Sequence, residues 1–244
     1  MKKKLFAKIF MIVTAVTCFY GSMLAQNKEG SNKTMTAKQQ SIIPIAALTA
    51  RGELQQLKPA LNAGLDAGLT VNEIKEIMVH LYAYCGFPRS IRGLQTFMEV
   101  LDDRKGKGIE DLSGADASPI NDDHTKYERG KANLEELLGR QLPDQQTGYA
   151  AFAPVIEIFL KEHLFSDIFD RDVLTFAERE LVTVSVISAI GKADPMLRSH
   201  LSICLNVGYT PKQLNEFVGI IKSTLGKKEA KNAQAVLNEV LENR

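Results

Sequence analysis

The chain has 244 residues, 45% of them hydrophobic and 24% charged, with 30 Lys and Arg against 29 Asp and Glu, three Cys and no Trp. This is the composition of a folded globular protein; it excludes a disordered chain, and three Cys are too few for a disulfide scaffold. A net charge of +1 offers no basic surface of the kind that grips nucleic acid, so none is expected as a partner.

The first residues belong to a different physical class from the rest. Lys2, Lys3, Lys4 and Lys8 precede an apolar run from Ile9 to Tyr20, and Gly21-Ser22 leads into Met23-Leu24-Ala25-Gln26. A basic start, a short apolar core and small residues predict a secretory signal over residues 1–25, cleaved after Ala25. The apolar run is shorter than the ~20 residues of a spanning helix. Ala15-Val16-Thr17-Cys18 is a poor lipidation box. Removing the signal takes four Lys and no acid, which turns +1 into −3. The mature chain is therefore expected to be acidic, exported to the periplasm or beyond, and free of the membrane.

Asn27–Lys33 reads as a polar lead-in, and after Thr36 helical patterning takes over. One helix ends over Leu61–Ala67 at Gly68, and Thr70 with Glu73 forms a capping box for the next, Val71–Tyr84. Gly86-Phe87-Pro88 stops that helix, and another runs from Arg89 to about Arg104. Residues 105–123 read as a linker. Further helices are predicted at Lys126–Leu138, Phe152–Leu164, Phe176–Ile190, Pro195–Asn206, Pro211–Thr224 and Lys227–Leu241. No run of alternating residues suggests strands, so the fold class is all-α.

A shift of 140 positions lays 61–101 on 201–241 without a gap and with nine identities, among them Gly68/Gly208, Thr70/Thr210, Glu76/Glu216 and Gly86/Gly226. Upstream, a shift of 139 pairs Thr36 with Thr175 and Gly52 with Gly191. Helix punctuation recurring at one offset points to duplication: a first unit over 34–104, the linker 105–123, and a second unit over 124–244.

The second unit resembles the carboxymuconolactone decarboxylase family. The resemblance runs through Tyr127-Glu128-Arg129-Gly130, Leu137-Leu138-Gly139 and Phe165-Ser166-Asp167-Ile168-Phe169-Asp170-Arg171. It is strongest over Glu178-Arg179-Glu180-Leu181-Val182-Thr183, Leu197-Arg198-Ser199-His200 and Asn206-Val207-Gly208-Tyr209-Thr210. The first unit carries Glu73-Ile74-Lys75-Glu76 and Tyr84-Cys85-Gly86-Phe87-Pro88. The resemblance implies two tandem copies of the alkylhydroperoxidase-D-like helical unit, assembly into homo-oligomers, and cofactor-free decarboxylation of a small carboxylated or lactone substrate. The family's peroxidase branch uses Cys-x-x-Cys followed by His. Ala193 and Met196 stand at those Cys positions ahead of His200, so that branch is disfavoured.

Decarboxylation of a lactone acid requires stabilising a dienolate and returning a proton to carbon, work that suits a histidine and needs neither metal nor organic cofactor. His200 matches the family's His, and Glu180 is the matching acid that orients or tunes it. Glu76, His80 and Tyr84 recur every four residues on one helix face, forming either a site or the polar edge of an amphipathic helix. His80 stands where the decarboxylases carry Gln, and Tyr84 belongs to the Tyr-x-Gly-x-Pro element. Cys204, one turn from His200, reads first as an inert buried thiol. Cys85 is a further candidate, redox-active or paired with Cys204.

Neither unit holds a full set: Ser41 stands at the place of Glu180, Ala60 at that of His200, and Thr224 at that of Tyr84. The expectation is one composite pocket, with His200 and Glu180 from one copy and Tyr84 from the other. It requires Tyr84 and His200 to lie within ~10 Å of each other. The alternatives are thiol-dependent peroxidase chemistry through Cys85 and Cys204, and a non-catalytic binding or assembly protein. His124 and His163 are expected to face solvent, and the four His lack metal-ligand spacing, so no metal is predicted.

Overall fold

Thr36, Thr70, Thr125, Thr175 and Thr210 each sit in extended backbone, and each side chain accepts the N–H of the residue three positions on. The Gln39, Glu73, Glu128, Glu178 or Gln213 side chain returns the bond to the Thr N–H. Each box satisfies amides that a helix start leaves open, and so fixes where the helix begins. The computed structural model describes residues 33–120, 123–143 and 145–244. The predicted signal, Cys18 and residues 27–32 of the lead-in lie outside the described residues.

Among the described residues there are ten α-helices and no strand. The first unit contributes α1 (Ala37–Arg51), α2 (Leu54–Asp66) and α3 (Val71–Gly106). The second contributes α4 (Lys126–Leu138), α5 (Gly148–Phe152), α6 (Pro154–Phe159), α7 (Phe176–Ile190), α8 (Asp194–Asn206), α9 (Pro211–Leu225) and α10 (Lys227–Glu242). A π-helical stretch, Leu160–Ile168, continues α6.

The two units clasp each other. α1 packs along α7, its counterpart at a shift of 139; α3 lies against α7, and α9 lies against α1 in the matching way. α7 shows why this needs partners. Leu181, Val182, Val184 and Val186 are wholly buried, and its β-branched residues are indifferent helix formers. Burial of such side chains, worth roughly 1.5–3 kcal/mol each, holds the helix where propensity alone would not. A smaller apolar cluster joins Leu137, Leu164, Phe165, Ile168, Phe169 and Ile203, and Tyr84 packs against both this cluster and the main core.

The duplication extends to backbone conformation. Gly86 breaks α3 internally with φ 80° and ψ 159°, and its counterpart Gly226 separates α9 from α10 with φ 112° and ψ 179°. Only glycine adopts this region readily.

One stretch differs from the sequence expectation. The single helix expected over Phe152–Leu164 is interrupted at Ala153 (φ −134°, ψ 76°), because Pro154 drives the preceding residue out of the helical region. The linker docks on both units. Leu112 and Ser113 carbonyls accept the Val71 and Asn72 N–H groups (both 2.9 Å), Arg104 forks onto Asp111, and Ser118 N–H donates to Asp172 (2.8 Å). It straps the start of α3 to the segment ahead of α7.

Candidate active site

Along the buried length of α7, two charged residues stand side by side with no exposed surface, Arg179 and Glu180. Successive helix positions point about 100° apart, so the two reach different neighbours. Glu180 Oε2 lies 2.8 Å from His200 Nδ1, presented by α8, and the His200 side chain retains 15% exposure. A carboxylate only accepts, so Nδ1 donates to it and Nε2 is left for a further partner. Nε2 has no protein partner among the described residues, and the second Glu180 oxygen is buried without one.

Arg179 reaches α3 instead. Its Nη2 donates to Glu76 (2.8 Å), which also receives a fork from Arg171 at 2.9–3.0 Å. Two guanidinium groups on one carboxylate compensate a charge that would be costly to bury alone. Glu76 and His80 are therefore buried on the inner side of α3, not at an amphipathic edge.

Arg179 also sets the tautomer of His80. Its Nη1 is 3.4 Å from His80 Nδ1, and an arginine offers no acceptor. Burial and the Arg179 charge hold the His80 pKa well below its usual value, so the ring is neutral. Its proton is then on Nε2, which donates to Thr183 Oγ1 at 2.9 Å. Thr183 Oγ1 is also 3.1 Å from the Tyr84 oxygen and 3.0 Å from the Arg179 carbonyl. When its proton goes to Tyr84, the phenolic proton is free for a further acceptor. Burial and the Glu180 charge raise the Tyr84 pKa, so the phenol stays protonated at neutral pH.

Tyr84 meets His200 edge to face, with ring centroids 6.1 Å apart at 81°. That is inside the separation a composite pocket requires. Tyr84 comes from the first unit, His200 and Glu180 from the second. Phe169 stands 5.3 Å from the His80 ring and beneath the Arg179 guanidinium, 5.7 Å away, forming an apolar wall.

The remaining candidates lie differently. Cys85 and Cys204 are free thiols. Burial pushes the Cys85 thiol up to about 11, and burial with the Glu180 charge raises Cys204; neither is a thiolate at neutral pH. His163 is half-exposed and pairs with Asp167 at 3.1 Å; His124 is exposed. Among the described residues no group of His, Cys, Asp and Glu could hold a metal ion.

The counterpart place in the other half lacks this chemistry. Gln40, Ser41 and Pro44 replace Arg179, Glu180 and Thr183; Ala60 replaces His200, while Ile220 and Thr224 replace His80 and Tyr84. Glu216, the counterpart of Glu76, accepts the backbone N–H of Met35 at 2.8 Å.

Sequence reasoning did not single out Arg179 and Thr183 as site residues. The available signal was an arginine between two glutamates at the head of a largely apolar helix, with a hydroxyl one turn on.

The model of the carboxymuconolactone decarboxylase family matches residues 20–97 and again 156–239, together well over half of the chain. The 4-carboxymuconolactone decarboxylase of Acinetobacter baylyi is 29% identical over 97 residues, 39% of this chain and 72% of that protein. An uncharacterized protein of Methanocaldococcus jannaschii is 28% identical over 87 residues, 35% of this chain and 81% of that protein. Each match takes little more than a third of this chain but most of the relative, as a two-unit chain meeting a shorter one would give.

Proposed function

Because the chain belongs to the carboxymuconolactone decarboxylase family, we propose that it performs cofactor-free decarboxylation, or closely related proton transfer, on a small carboxylated or lactone substrate, at the pocket shared by the two units. The observation that carries this reading is the Glu180–His200 contact of 2.8 Å beside the edge-on ring of Tyr84.

In this reaction the bond from the reacting carbon to the carboxylate breaks, its electron pair moves into the lactone carbonyl, and carbon dioxide leaves. The dienolate then takes up one proton at carbon. His200 carries a proton on Nε2 to that carbon, and buried Glu180, accepting from Nδ1, stabilises the ring while it bears both protons. Tyr84, a phenol that keeps its proton, donates a hydrogen bond to the enolate oxygen as charge develops there. His80 and Thr183 hold the Tyr84 oxygen in place, and Phe169 keeps water from that side.

We further propose that the chain works outside the cytoplasm, as residues 1–25 suggest, and as a homo-oligomer. Tyr149, Phe152, Val155 and Phe159 on α5 and α6 are each more than half exposed, Phe152 to 91%. A second copy of the chain would cover them.

The test is a screen of small lactone acids, keto acids and hydroperoxides on the purified protein, with His200→Ala and Cys85→Ser alongside. The expected result is release of carbon dioxide from a lactone or keto acid, lost by ~100-fold or more in His200→Ala and kept in Cys85→Ser. Hydroperoxide consumption that disappears in Cys85→Ser would overturn the reading.

A further inference from the structure

Arg179, His80 and Thr183 have no exposed surface, whereas Tyr84 and His200 each keep part of theirs. A hydrogen-bonded row therefore runs from a buried guanidinium to a part-exposed phenol, through contacts of 3.4, 2.9 and 3.1 Å. The other half of the chain lacks the row as a whole. Gln40, Ile220, Pro44 and Thr224 stand at the places of Arg179, His80, Thr183 and Tyr84, while Glu76 keeps an acidic counterpart in Glu216.

The direction of the row is fixed at one end only. Arg179 offers His80 Nδ1 nothing but donors, so Nε2 carries the ring proton and donates to Thr183 Oγ1. The single Thr183 hydroxyl proton is left with two acceptors, the Arg179 carbonyl at 3.0 Å and the Tyr84 oxygen at 3.1 Å. Were the His80 proton on Nδ1 instead, Nε2 would claim the Thr183 proton, and Tyr84 could only donate inward.

Two arrangements follow, and they differ in hydroxyl rotation alone. In the first, Thr183 donates to the Arg179 carbonyl and Tyr84 donates to Thr183. Every proton in the row is then bonded, and the phenol shows only lone pairs to a ligand. In the second, Thr183 donates to Tyr84 and the phenolic proton leaves the row, while the Arg179 carbonyl keeps its bond within α7. The second arrangement strands the phenolic proton unless an outside acceptor meets it, so the first is the resting one.

We propose that Thr183 is a positioning residue that switches Tyr84 from inward to outward donor when an oxyanion arrives, and that the site thereby selects ligands carrying a delocalised oxyanion, an enolate or a phenolate. This deepens the reading above and rests on its placing of Tyr84 at the enolate oxygen. Both hydroxyl protons stay on their own oxygens, and no heavy atom has to move. The bond from Thr183 polarises the phenol, so Tyr84 donates most strongly when the ligand oxygen is charged.

Absorbance titration of the purified protein with 4-nitrophenolate, at a pH where the probe is ionised, tests this without any turnover. Saturable binding of one probe per chain is expected. Tyr84→Phe should weaken it by about tenfold or more, the worth of a hydrogen bond to a charged group. Thr183→Val, which keeps the shape and removes the hydroxyl, should weaken it by roughly threefold or more, and Thr183→Ser should restore it. In the Tyr84→Phe background Thr183→Val should cost nothing further, because Thr183 acts through that phenol; a merely structural role would cost the same factor in both. Thr183→Ala takes the place of the valine variant if circular dichroism shows the latter unfolded. Absence of saturable binding by the parent, equal binding by Thr183→Val, or the same loss in both backgrounds would overturn the proposal. Coupled phenolate binding without release of carbon dioxide from any lactone or keto acid would uphold the switch and sink the reaction. Turnover with uncoupled binding would do the reverse.

Discussion

His80 is buried, neutral and pressed against a guanidinium, and this carries a consequence for stability. Its pKa in the folded chain is depressed by burial first and by Arg179 second, while in the unfolded chain it returns to about 6.5. Below that pH the unfolded state takes up a proton that the folded state refuses, so stability falls as pH falls; above it His80 contributes no slope. One such proton is worth about 1.4 kcal/mol per pH unit. His80→Gln keeps a donor for Thr183 and removes the titration. Urea unfolding at pH 7.5 and 5.5 should therefore show a smaller acid loss in the variant, and identical losses would show that His80 is not the cause. Glu180→Gln, which keeps the shape but removes the charge beside His200, should lower turnover by roughly 100-fold with the chain still folded, read by steady-state rates and circular dichroism. The pairing of His200 with Glu180 was legible because each falls in a segment where the family resemblance is strongest and each has an obvious chemical use. The Arg179–His80 and Thr183–Tyr84 contacts were not. Spacing shows that Glu76, His80 and Tyr84 share a face, but not that a helix 100 residues away receives it.

At the level of elements, two glycines do work that other residues cannot. The bend at Gly86 (φ 80°, ψ 159°) directly follows Tyr84 and Cys85, so Gly86→Ala should cost about 1–3 kcal/mol and displace the Tyr84 ring. Gly130 on α4 lies so close to the π-helical stretch that an added Cβ would stand 1.9 Å from the Lys161 carbonyl oxygen. Gly130→Ala must separate the two elements. The expected loss is again about 1–3 kcal/mol, a fall of several degrees in melting temperature, and an unchanged melting curve for either variant would contradict the packing described. Helix starts were well marked in sequence, because Thr with Glu or Gln three residues on is a local hydrogen-bonding device. The break at Ala153 was marked only by Pro154, inside an apolar pattern that read as continuous. The strap formed by residues 109–118 had no local signal, since polar coil looks alike whether it floats or docks.

For the whole molecule, duplication followed by divergence gives the fold its plan. Matching helices clasp, matching glycines bend, and a charged, hydrogen-bonded cluster lies on one side while Ser41, Ala60 and Pro44 occupy the other. The duplication could be read from helix punctuation at a constant offset; that Tyr84 of one unit stands beside His200 of the other required the packing of α3 on α7. The proposed self-association through α5 and α6 predicts that Phe152→Glu/Phe159→Glu shifts the protein to a smaller species in light scattering. An unchanged mass would contradict it.

The account rests on His200 and Tyr84 acting on one reacting centre from different units. A double-mutant cycle in kcat/KM, with His200→Ala, Tyr84→Phe and both together on a lactone or keto acid that the protein turns over, tests this most directly. The predicted result is a large loss for His200→Ala, a smaller one for Tyr84→Phe, and a double variant little worse than His200→Ala alone, because the two groups serve the same transition state. Full turnover by His200→Ala, or losses that simply multiply, would contradict it.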